Sequence, residues 1–524
     1  MCGITFVFSK HIPKNKVFFS SISHRGPDSH CQLHTDIGLF AFDRLAVNDL
    51  TAGGNQPFDN GDGVLICNGE IYNHSELERQ FDLPVRSKSD CECLLWLLCQ
   101  PELNRETVFQ TLDAEFACVY YDRAKGEVVA ARDPLGVRPL YVAYDSERQV
   151  VGFSSEAKGL GSLPTAVRFK QFPPGRYWNS SDRVFRPYNA LTLPKYPQAC
   201  FSDTFDSHVN AIRSYLIEAV EKRAASSDRP VAYFLSGGLD SSVIAAIGAS
   251  LSVEPITTYS IGIRGADSPD LAHAKIMAEH IGANHKEILI DANEALGYVR
   301  RVICKLETYD CTTVRASVPM FILSEYIAHH SEHKVLLSGE GADELFGGYL
   351  YFHNAPTDEA FHNETVRLLK NIHQFDGLRA DRCTAAHGLE LRVPFLDPVL
   401  VEYVTTAICP SLKHPAKNGN VEKKLLREAF KHLLPESVVS RQKNGMSDAV
   451  GYSWVDRLRL AAAPTETNRV YEENPPLTPE ERWYREIFHE YYDDWDCSHN
   501  SIWRPRWTEE TDPSARKLAV FSEN

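Results

Sequence analysis

Long hydrophobic runs are missing from this chain of 524 residues. None approaches the ~18 consecutive apolar residues that a membrane-spanning helix needs, which excludes that class. The N-terminus, Met1-Cys2-Gly3-Ile4, has neither a basic region nor a long apolar one, so no secretory signal is read there. Positive charge is in deficit: 55 Lys and Arg face 70 Asp and Glu, leaving a net charge of −15. That balance argues against a nucleic-acid partner, and a small anionic substrate would need cations placed locally. Thirteen cysteines are an odd count without a disulfide-like rhythm, which points to a reducing, cytoplasmic setting. Cys91 and Cys93 have no second pair nearby, so no structural zinc is expected. The remaining composition, 43% hydrophobic and 24% charged, is that of a soluble globular protein. The length implies two or more domains.

One stretch organises what is present. Val231–Leu235 is an apolar run that ends in Ser236-Gly237-Gly238, and a helical pattern follows from Ser241 through Ile247. This is a buried strand, a tight turn and a helix start. Two glycines let the backbone approach a ligand closely, and the free N–H groups of the helix start favour an anion. Ser236, Ser241 and Ser242 add hydroxyl donors. No Lys follows the glycines, so this is not the loop that grips outer phosphates through a Gly-Lys-Ser/Thr sequence. The plain alternative is an ordinary strand-to-helix turn.

The first half alternates short apolar runs with Gly, Asn and Asp turns: Gly38–Leu45, Val64–Cys67, Phe116–Tyr121, Val128–Arg132, Pro139–Ala143 and Val150–Ser154. The pattern predicts strands, with one helix at Ser89–Leu98. Cys2 is its most informative residue. If Met1 is removed, Cys2 carries a free α-amine of pKa about 8 beside a thiol of pKa about 8.5, so one residue supplies nucleophile and base. The Asn68 amide and the Gly69 N–H could stabilise an oxyanion. Arg44 has the fork that pairs with an α-carboxylate, and Glu70 and Asp90 could hold an α-ammonium. Together these describe a pocket for a free amino acid with a side-chain amide. His24 and Asp28 sit in a turn and read as structural.

Residues 189–204 lose periodicity and read as a linker between residues 1–188 and 205–524. Phe205–Ala225 is an amphipathic helix, with Ile212, Leu216, Ala219 and Val220 on one side. Beyond it, Thr257–Ile263 and Lys334–Ser338 read as strands. Leu271–His280, Glu294–Lys305 and Pro319–His329 read as helices. Alternation of this kind predicts a parallel sheet with helices on both faces and a ligand beyond the carboxyl ends of the strands. Leu235, Ile261, Ser338 and Gly339 lie at those ends. Glu340, Asp343 and Glu344 fall within one glycine-rich stretch, and close carboxylates need a cation between them. Mg²⁺ brought with a phosphorylated ligand and held by Asp240 and Asp343 would explain both acids. Arg315 and Lys443 could neutralise phosphates or a substrate carboxylate. From about residue 457 the chain reads as an acidic, aromatic-rich tail.

Ser236–Ser241 resembles the pyrophosphate loop of the ATP pyrophosphatases, which activate a carboxylate or carbonyl by adenylation. Cys2-Gly3-Ile4, His24–Asp28, Arg44–Val47, Gln56-Pro57, Asn68–Asn73, Asp90, Arg132–Gly136 and Ser154–Glu156 together resemble a class II glutamine amidotransferase domain. The second half resembles glutamine-hydrolysing asparagine synthetases through Ser236–Ser242, Ser260–Gly262, Ser268–Asp270, Glu307–Arg315, Ser338–Tyr351, Glu390–Asp397, Lys423–Arg427 and Arg441–Lys443.

The resemblance implies an α/β multidomain protein. Its first domain would have two stacked antiparallel sheets of the N-terminal-nucleophile hydrolase type, and its second a parallel sheet of the ATP-pyrophosphatase type. It implies that Cys2 attacks glutamine, with Arg44, Leu45, Ala46, Val47, Asn48, Asn68, Gly69, Glu70 and Asp90 as glutamine contacts. It implies ATP contacts at Leu235, Ser236, Gly237, Gly238, Asp240, Ser241, Ile261, Ser338 and Gly339. Glu340 would act in forming a β-aspartyl adenylate, and Lys443 would hold the released phosphates. The expected partners are aspartate, glutamine and MgATP, with no prosthetic group, no nucleic acid and no membrane; a homodimer is left open. Three rivals are weighed against this: a β-lactam-forming relative, which would have a degenerate glutamine pocket; a transferase acting on phosphoribosyl pyrophosphate, which would lack Ser236–Ser242; and a silent scaffold, which would lack Cys2, Glu340, Arg315 or Lys443.

Overall fold

The computed structural model describes residues 1–12, 21–188, 191, 193, 204–266, 268–442, 454–464, 469–493, 495, 501–509 and 512. Its first part carries β1 (Gly3–Phe8), β2 (Ser29–His34), β3 (Gly38–Arg44), β4 (Phe58–Asp59), β5 (Gly63–Ile71), β6 (Ala114–Asp122), β7 (Glu127–Arg132), β8 (Tyr141–Tyr144), β9 (Val150–Ser154), β10 (Arg168–Gln171), β11 (Arg176–Asn179) and β12 (Phe185–Pro187). They form two antiparallel sheets, ordered β10-β8-β9-β1-β3-β2 and β12-β11-β7-β6-β5-β4.

Side chains alternate faces along each strand. Ile4, Phe6, Phe40 and Phe42 of the first sheet therefore meet Val64, Ile66, Ala117 and Val119 of the second in one core. The outer faces are covered too. Leu65, Cys67 and Phe116 pack beneath Leu94, Leu97, Val108 and Phe109 of the helices Glu92–Cys99 and Arg105–Gln110. Val7, Leu39 and Tyr141 pack on Leu160 and Leu163. Burial on both faces explains why these strands read as continuous apolar runs rather than clean alternation.

The second part is built on β13 (Val231–Phe234), β14 (Thr257–Ile263), β15 (Asn284–Ile290), β16 (Val335–Leu337) and β17 (Glu390–Arg392). They make one parallel sheet ordered β15-β14-β13-β16-β17. Helices cover both faces. Val243, Ile244 and Ile247 of Leu239–Leu251 join Tyr233 and Leu235 on one side. Val314 and Val318 of Cys311–His330 join Phe234 and Tyr259 on the other.

The amphipathic helix Phe205–Ala225 spans the predicted residues. Other elements differ. The helix expected to begin at Pro319 begins at Cys311, where Asp310 caps it through Thr313 N–H at 2.9 Å, and Pro319 lies inside it. The helix expected over Glu294–Lys305 is two, Ala292–Gly297 and Val299–Leu306. The stretch from about 457 is not a surface tail: Trp454–Ala462 and Pro479–Tyr492 are helices whose Trp454, Tyr484 and Phe488 sit in the second core. Of the expected linker, only 191, 193 and 204 are among the described residues. Ten described cysteines are free thiols, but Cys409 is disulfide-bonded, against the all-thiol expectation.

The two parts meet across buried ion pairs. Arg25 takes Asp381 in a two-pronged pair at 2.7 and 3.0 Å and Glu156 at 2.9 Å. Arg382 bridges Glu156 and Glu307 at 2.9 and 3.0 Å. Arg223 bridges Glu115 and Asp397 at 2.8 Å each. Removing one partner strands a buried charge, so Arg223→Ala should cost about 3–5 kcal/mol of stability. Urea unfolding followed by tryptophan fluorescence measures it; an unshifted midpoint would remove this pair from the account of the interface.

Candidate functional site

Cys2 lies just before β1. Its N–H donates to Asn68 Oδ1 at 2.8 Å, its thiol is 3.6 Å from the Leu45 carbonyl, and its own carbonyl accepts from Arg25 Nε at 3.0 Å. The first bond orients the Asn68 amide. With Oδ1 turned to Cys2, the opposite atom, Nδ2, is a buried donor with no protein partner. Leaving such a donor unpaired costs about 1–3 kcal/mol, and it suits an oxyanion formed beside the thiol. Gly69 follows in β5. A Cβ there would lie 2.5 Å from the Glu115 carbonyl oxygen, so only glycine lets the two strands approach. Burial pushes the Cys2 thiol above its ordinary range, with the Met1 ammonium opposing. That ammonium is itself buried, 3.0 Å from Glu390 Oε2.

Beside it, Asn48 Nδ2 donates to Glu70 Oε1 at 2.7 Å and Asp90 Oδ1 at 3.3 Å. Asp90 Oδ2 accepts from Ile71 N–H at 2.8 Å, which fixes the start of the helix behind it. Burial raises the Glu70 carboxyl well above the usual range, although Arg392 lies 2.8 Å from it. The loop Leu45–Asn48 is held from both sides: Ala46 N–H donates to Asp28 Oδ2 at 2.8 Å, and Arg229 Nε donates to the Ala46 carbonyl at 3.0 Å. Asp28 is therefore structural, as expected. Arg44 spends its terminal nitrogens on this loop, donating to Thr51 O at 2.6 Å, Asn55 Oδ1 at 2.8 Å, Asn48 O at 3.2 Å and Asp49 O. It organises the pocket wall from within.

The second site is a cleft at the carboxyl ends of β13, β14 and β16. Leu235, Ser236, Gly238, Asp240, Ser241, Ile261, Ser338, Gly339, Glu340 and Asp343 all line it. Gly237 makes the turn at φ +70, and a Cβ there would lie 2.3 Å from Ala274 N. Ser241 Oγ closes the loop, 3.0 Å from Ser236 Oγ and accepting from Ser236 N–H at 3.1 Å. A Cβ on Gly339 would meet Asp240 C and Ser241 N at 2.7 Å. The two glycine-rich loops, a hundred residues apart in sequence, touch there because Gly339 carries no side chain against Asp240 and Ser241.

Three features of this cleft were not legible. Lys423, at φ +55, places Nζ 2.8 and 2.6 Å from the two Asp240 oxygens and 2.5 Å from Asp343 Oδ1. Arg379 holds Glu340 at 2.6 Å and Asp376 at 2.5 Å; a lone Arg in a helix gives no sequence signal. Trp503, from far along the chain, lines the cleft as well. Arg315 sits behind the residues that line the cleft: its guanidinium pairs with Glu480 at 2.8 and 2.6 Å and with Asp512 at 3.0 Å. An arginine offered two nearby carboxylates is spent on them. Lys443 lies outside the described residues.

The family model for the glutamine amidotransferase domain matches residues 1–175, and that for asparagine synthase matches 211–359 and 354–520. The chain belongs to the glutamine-hydrolysing asparagine synthetase family. It is 38% identical to a probable asparagine synthetase of Acanthamoeba polyphaga mimivirus over 95% of both chains. It is 39% identical to the asparagine synthetase of Asparagus officinalis over 98% of this chain and 92% of that one, and 38% identical to that of Homo sapiens over 99% of both. It is accordingly a carbon–nitrogen ligase that couples glutamine hydrolysis to ATP-dependent asparagine synthesis.

Asn68→Ala should lower glutamine hydrolysis about 10²–10³-fold by removing one oxyanion donor. Synthesis from added ammonia should be unchanged. Glutamate release and asparagine formation, assayed separately, read the two; equal loss in both would refute a role confined to the first site.

Proposed function

We propose that synthesis runs in two steps joined inside the molecule. Cys2, freed of Met1, attacks the side-chain amide carbon of glutamine, and its α-amine takes the thiol proton. Asn68 Nδ2 and Gly69 N–H receive the oxyanion. Ammonia leaves, a thioester remains, and water releases glutamate. In the second cleft the β-carboxylate of aspartate attacks the α-phosphorus of ATP, forming a β-aspartyl adenylate and releasing pyrophosphate. Ammonia then attacks the acyl carbon, giving asparagine and AMP. Free ammonia would be protonated and lost in water, so a dry internal passage fits the chemistry.

The observation that carries this reading is the unpartnered Asn68 Nδ2 beside Cys2, in a chain whose second cleft joins two glycine loops at parallel-strand ends. An acceptor is missing at the first site, and an anion-binding turn stands open at the second. The glutamine contacts are assigned to the loop Leu45–Asn48 with Asn68, Gly69, Glu70 and Asp90, while Arg44, expected to pair with an α-carboxylate, instead props that loop through Thr51, Asn55, Asn48 and Asp49. The ATP contacts are assigned to Leu235, Ser236–Gly238, Ser241, Ile261, Ser338 and Gly339, and Glu340 to the adenylation step. Lys443 is assigned to the released phosphates. Residues 1–188 form the glutaminase domain and 205–524 the synthetase domain. No described helix is long and apolar enough to cross a membrane, and a cytoplasmic setting fits the free thiols.

Mg²⁺ enters with the substrate as MgATP. The donors fit it: Asp240 and Asp343 already share one cationic centre, the Lys423 ammonium. The ion would neutralise phosphate charge there, while Lys423 and Arg379 keep the carboxylates apart and oriented.

Three tests follow from the steps. Cys2→Ala should abolish glutamine-dependent synthesis and leave ammonia-dependent synthesis intact, as should an N-terminal extension that keeps Cys2 internal. Loss of both activities in a folded variant would sink the division of labour. Aspartate labelled with oxygen-18 in its β-carboxylate should deliver label to AMP; AMP free of label would exclude the adenylate. Withdrawing Mg²⁺ should stop asparagine formation while glutamate release continues; loss of both would place the ion outside the second site.

A further inference from the structure

Residues 501–509 and 512 belong to no helix or strand, yet they are tied down along their length. Trp503 N–H donates to Asp310 Oδ1 at 2.7 Å. Arg504 pairs with Glu481 at 2.6 Å and Arg506 with Glu364 at 3.1 Å. Asn354 Nδ2 donates to the Trp507 carbonyl at 3.1 Å. Asp512 reaches Arg315 and Arg459. Both ends of this strap thus fasten to the helix Cys311–His330 or its cap. The first turn of that helix, through Thr312 and Thr313, lines the nucleotide cleft.

Only one side chain of the strap enters the cleft wall. The Trp503 ring is 4% exposed. It lies edge-on to Tyr349 at 5.6 Å and to Tyr351 at 5.9 Å between centroids. Such pairs add about 0.5–1.5 kcal/mol beyond burial and fix ring orientation. The Tyr349 hydroxyl is 2.6 Å from Glu344 Oε1 and 2.8 Å from Asp376 Oδ2. Asp376 is held by Arg379, whose other nitrogen holds Glu340. An unbroken chain of contacts therefore runs from Trp503 through Tyr349, Asp376 and Arg379 to Glu340. Glu344, Asp376 and Glu340 crowd three acids at one end of the cleft. Burial raises the Glu344 carboxyl well above the usual range, and the Tyr349 hydroxyl with the Arg379 guanidinium fixes the spacing of the three acids.

We propose that Trp503 is a positioning residue of the synthetase step: it locks Tyr349, and through Tyr349 the Asp376–Arg379–Glu340 chain. The proposal rests on the reading of the cleft given above, in which Glu340 acts on the aspartate end. Arg315 takes a different role from the one its sequence suggested. It is the anchor that seats the strap, and so keeps Trp503 against Tyr349.

The test uses the full chain. Trp503→Ala, Trp503→Phe and Trp507→Ala are compared with the unaltered protein in ammonia-dependent synthesis, with glutamine hydrolysis as an internal measure of folding. Trp507 belongs to the same strap and packs on Tyr351 and Phe352, but does not line the cleft. A displaced acid of about 1 Å costs up to about 10²-fold. Trp503→Ala should therefore lower kcat/KM for aspartate on the order of 10²-fold, with glutamate release within about twofold. Trp503→Phe should recover most of that loss, and Trp507→Ala should lower the melting temperature without moving KM for aspartate. Unchanged kcat and KM in Trp503→Ala would overturn the proposal. So would equal losses in synthesis and glutamine hydrolysis shared by Trp507→Ala, since these mark a merely structural strap. Glu340→Gln is assayed alongside: if it keeps full synthesis while Trp503→Ala does not, the role given to Glu340 falls, and what Trp503 positions ends at Tyr349, Asp376 and Arg379.

Discussion

Arg392 meets three parts of the molecule with one guanidinium. Nε donates to Glu390 at 2.8 Å, one terminal nitrogen to Glu70 at 2.8 Å, and the other to the Arg223 carbonyl and Ser226 Oγ at 2.7 Å each. Its side chain has no exposure to solvent. A charge buried so completely is tolerated only when partners surround it. Burial opposes its charge, and Glu70 with Glu390 outweighs that opposition and holds it cationic. Glu390 in turn faces the Met1 ammonium, and Met1 with Arg392 and Arg138 holds it well below the carboxylate range despite burial. The pocket beside Cys2 and the edge of the parallel sheet are thus parts of one electrostatic unit. The wall of the first site is finished by the second domain.

This constraint explains which elements were readable from sequence. β13 and β14 announce themselves because they are central, apolar and bounded by glycine. β17 does not, because its three residues, Glu-Leu-Arg, carry two charges in a fully buried strand. Local hydropathy assigns such a segment to a loop. Its strand character comes from pairing with β16 and from counter-charges contributed by the other domain. β15 fails for the opposite reason: Asn284–Ile290 is an exposed edge strand whose polar residues leave little apolar pattern. Pro319 misled in a third way. A proline marks the first turn of a helix more readily than its interior, whereas Asp310, the true cap, is distinguished only by its bonds to Thr313.

The sites divide along the same line. Motifs that need close backbone approach were legible, because glycine has few other uses at such density: Gly237, Gly339 and Gly69 each sit where a Cβ would collide with backbone. Residues that act through partners were not. Arg315 reads as a phosphate or carboxylate ligand in the sequence and is seen paired with Glu480 and Asp512. Lys423, read only within the run Lys423–Arg427, and Arg379, not singled out by sequence, are seen to separate the acids of the cleft. An isolated charge in a sequence does not specify which opposite charge will reach it. That assignment is made by tertiary structure.

The overall deficit of positive charge then acquires a physical meaning. With 15 more acids than bases, the chain concentrates its arginines where acids are buried: at the domain interface, at β17 and around the cleft. Each such arginine faces two carboxylates rather than one, as Arg25, Arg223, Arg379 and Arg382 do. A cation shared between two acids ties them into one unit. In the cleft, Lys423 serves Asp240 and Asp343 together, within reach of any ligand that enters. At the interface no ligand arrives, and the shared acids meet further cations, Lys158 on Glu156, Arg138 on Glu115 and Lys222 on Asp397, which balance the charge within a rigid network. Identical pairings therefore serve recognition in one place and rigidity in the other, and solvent access decides between them.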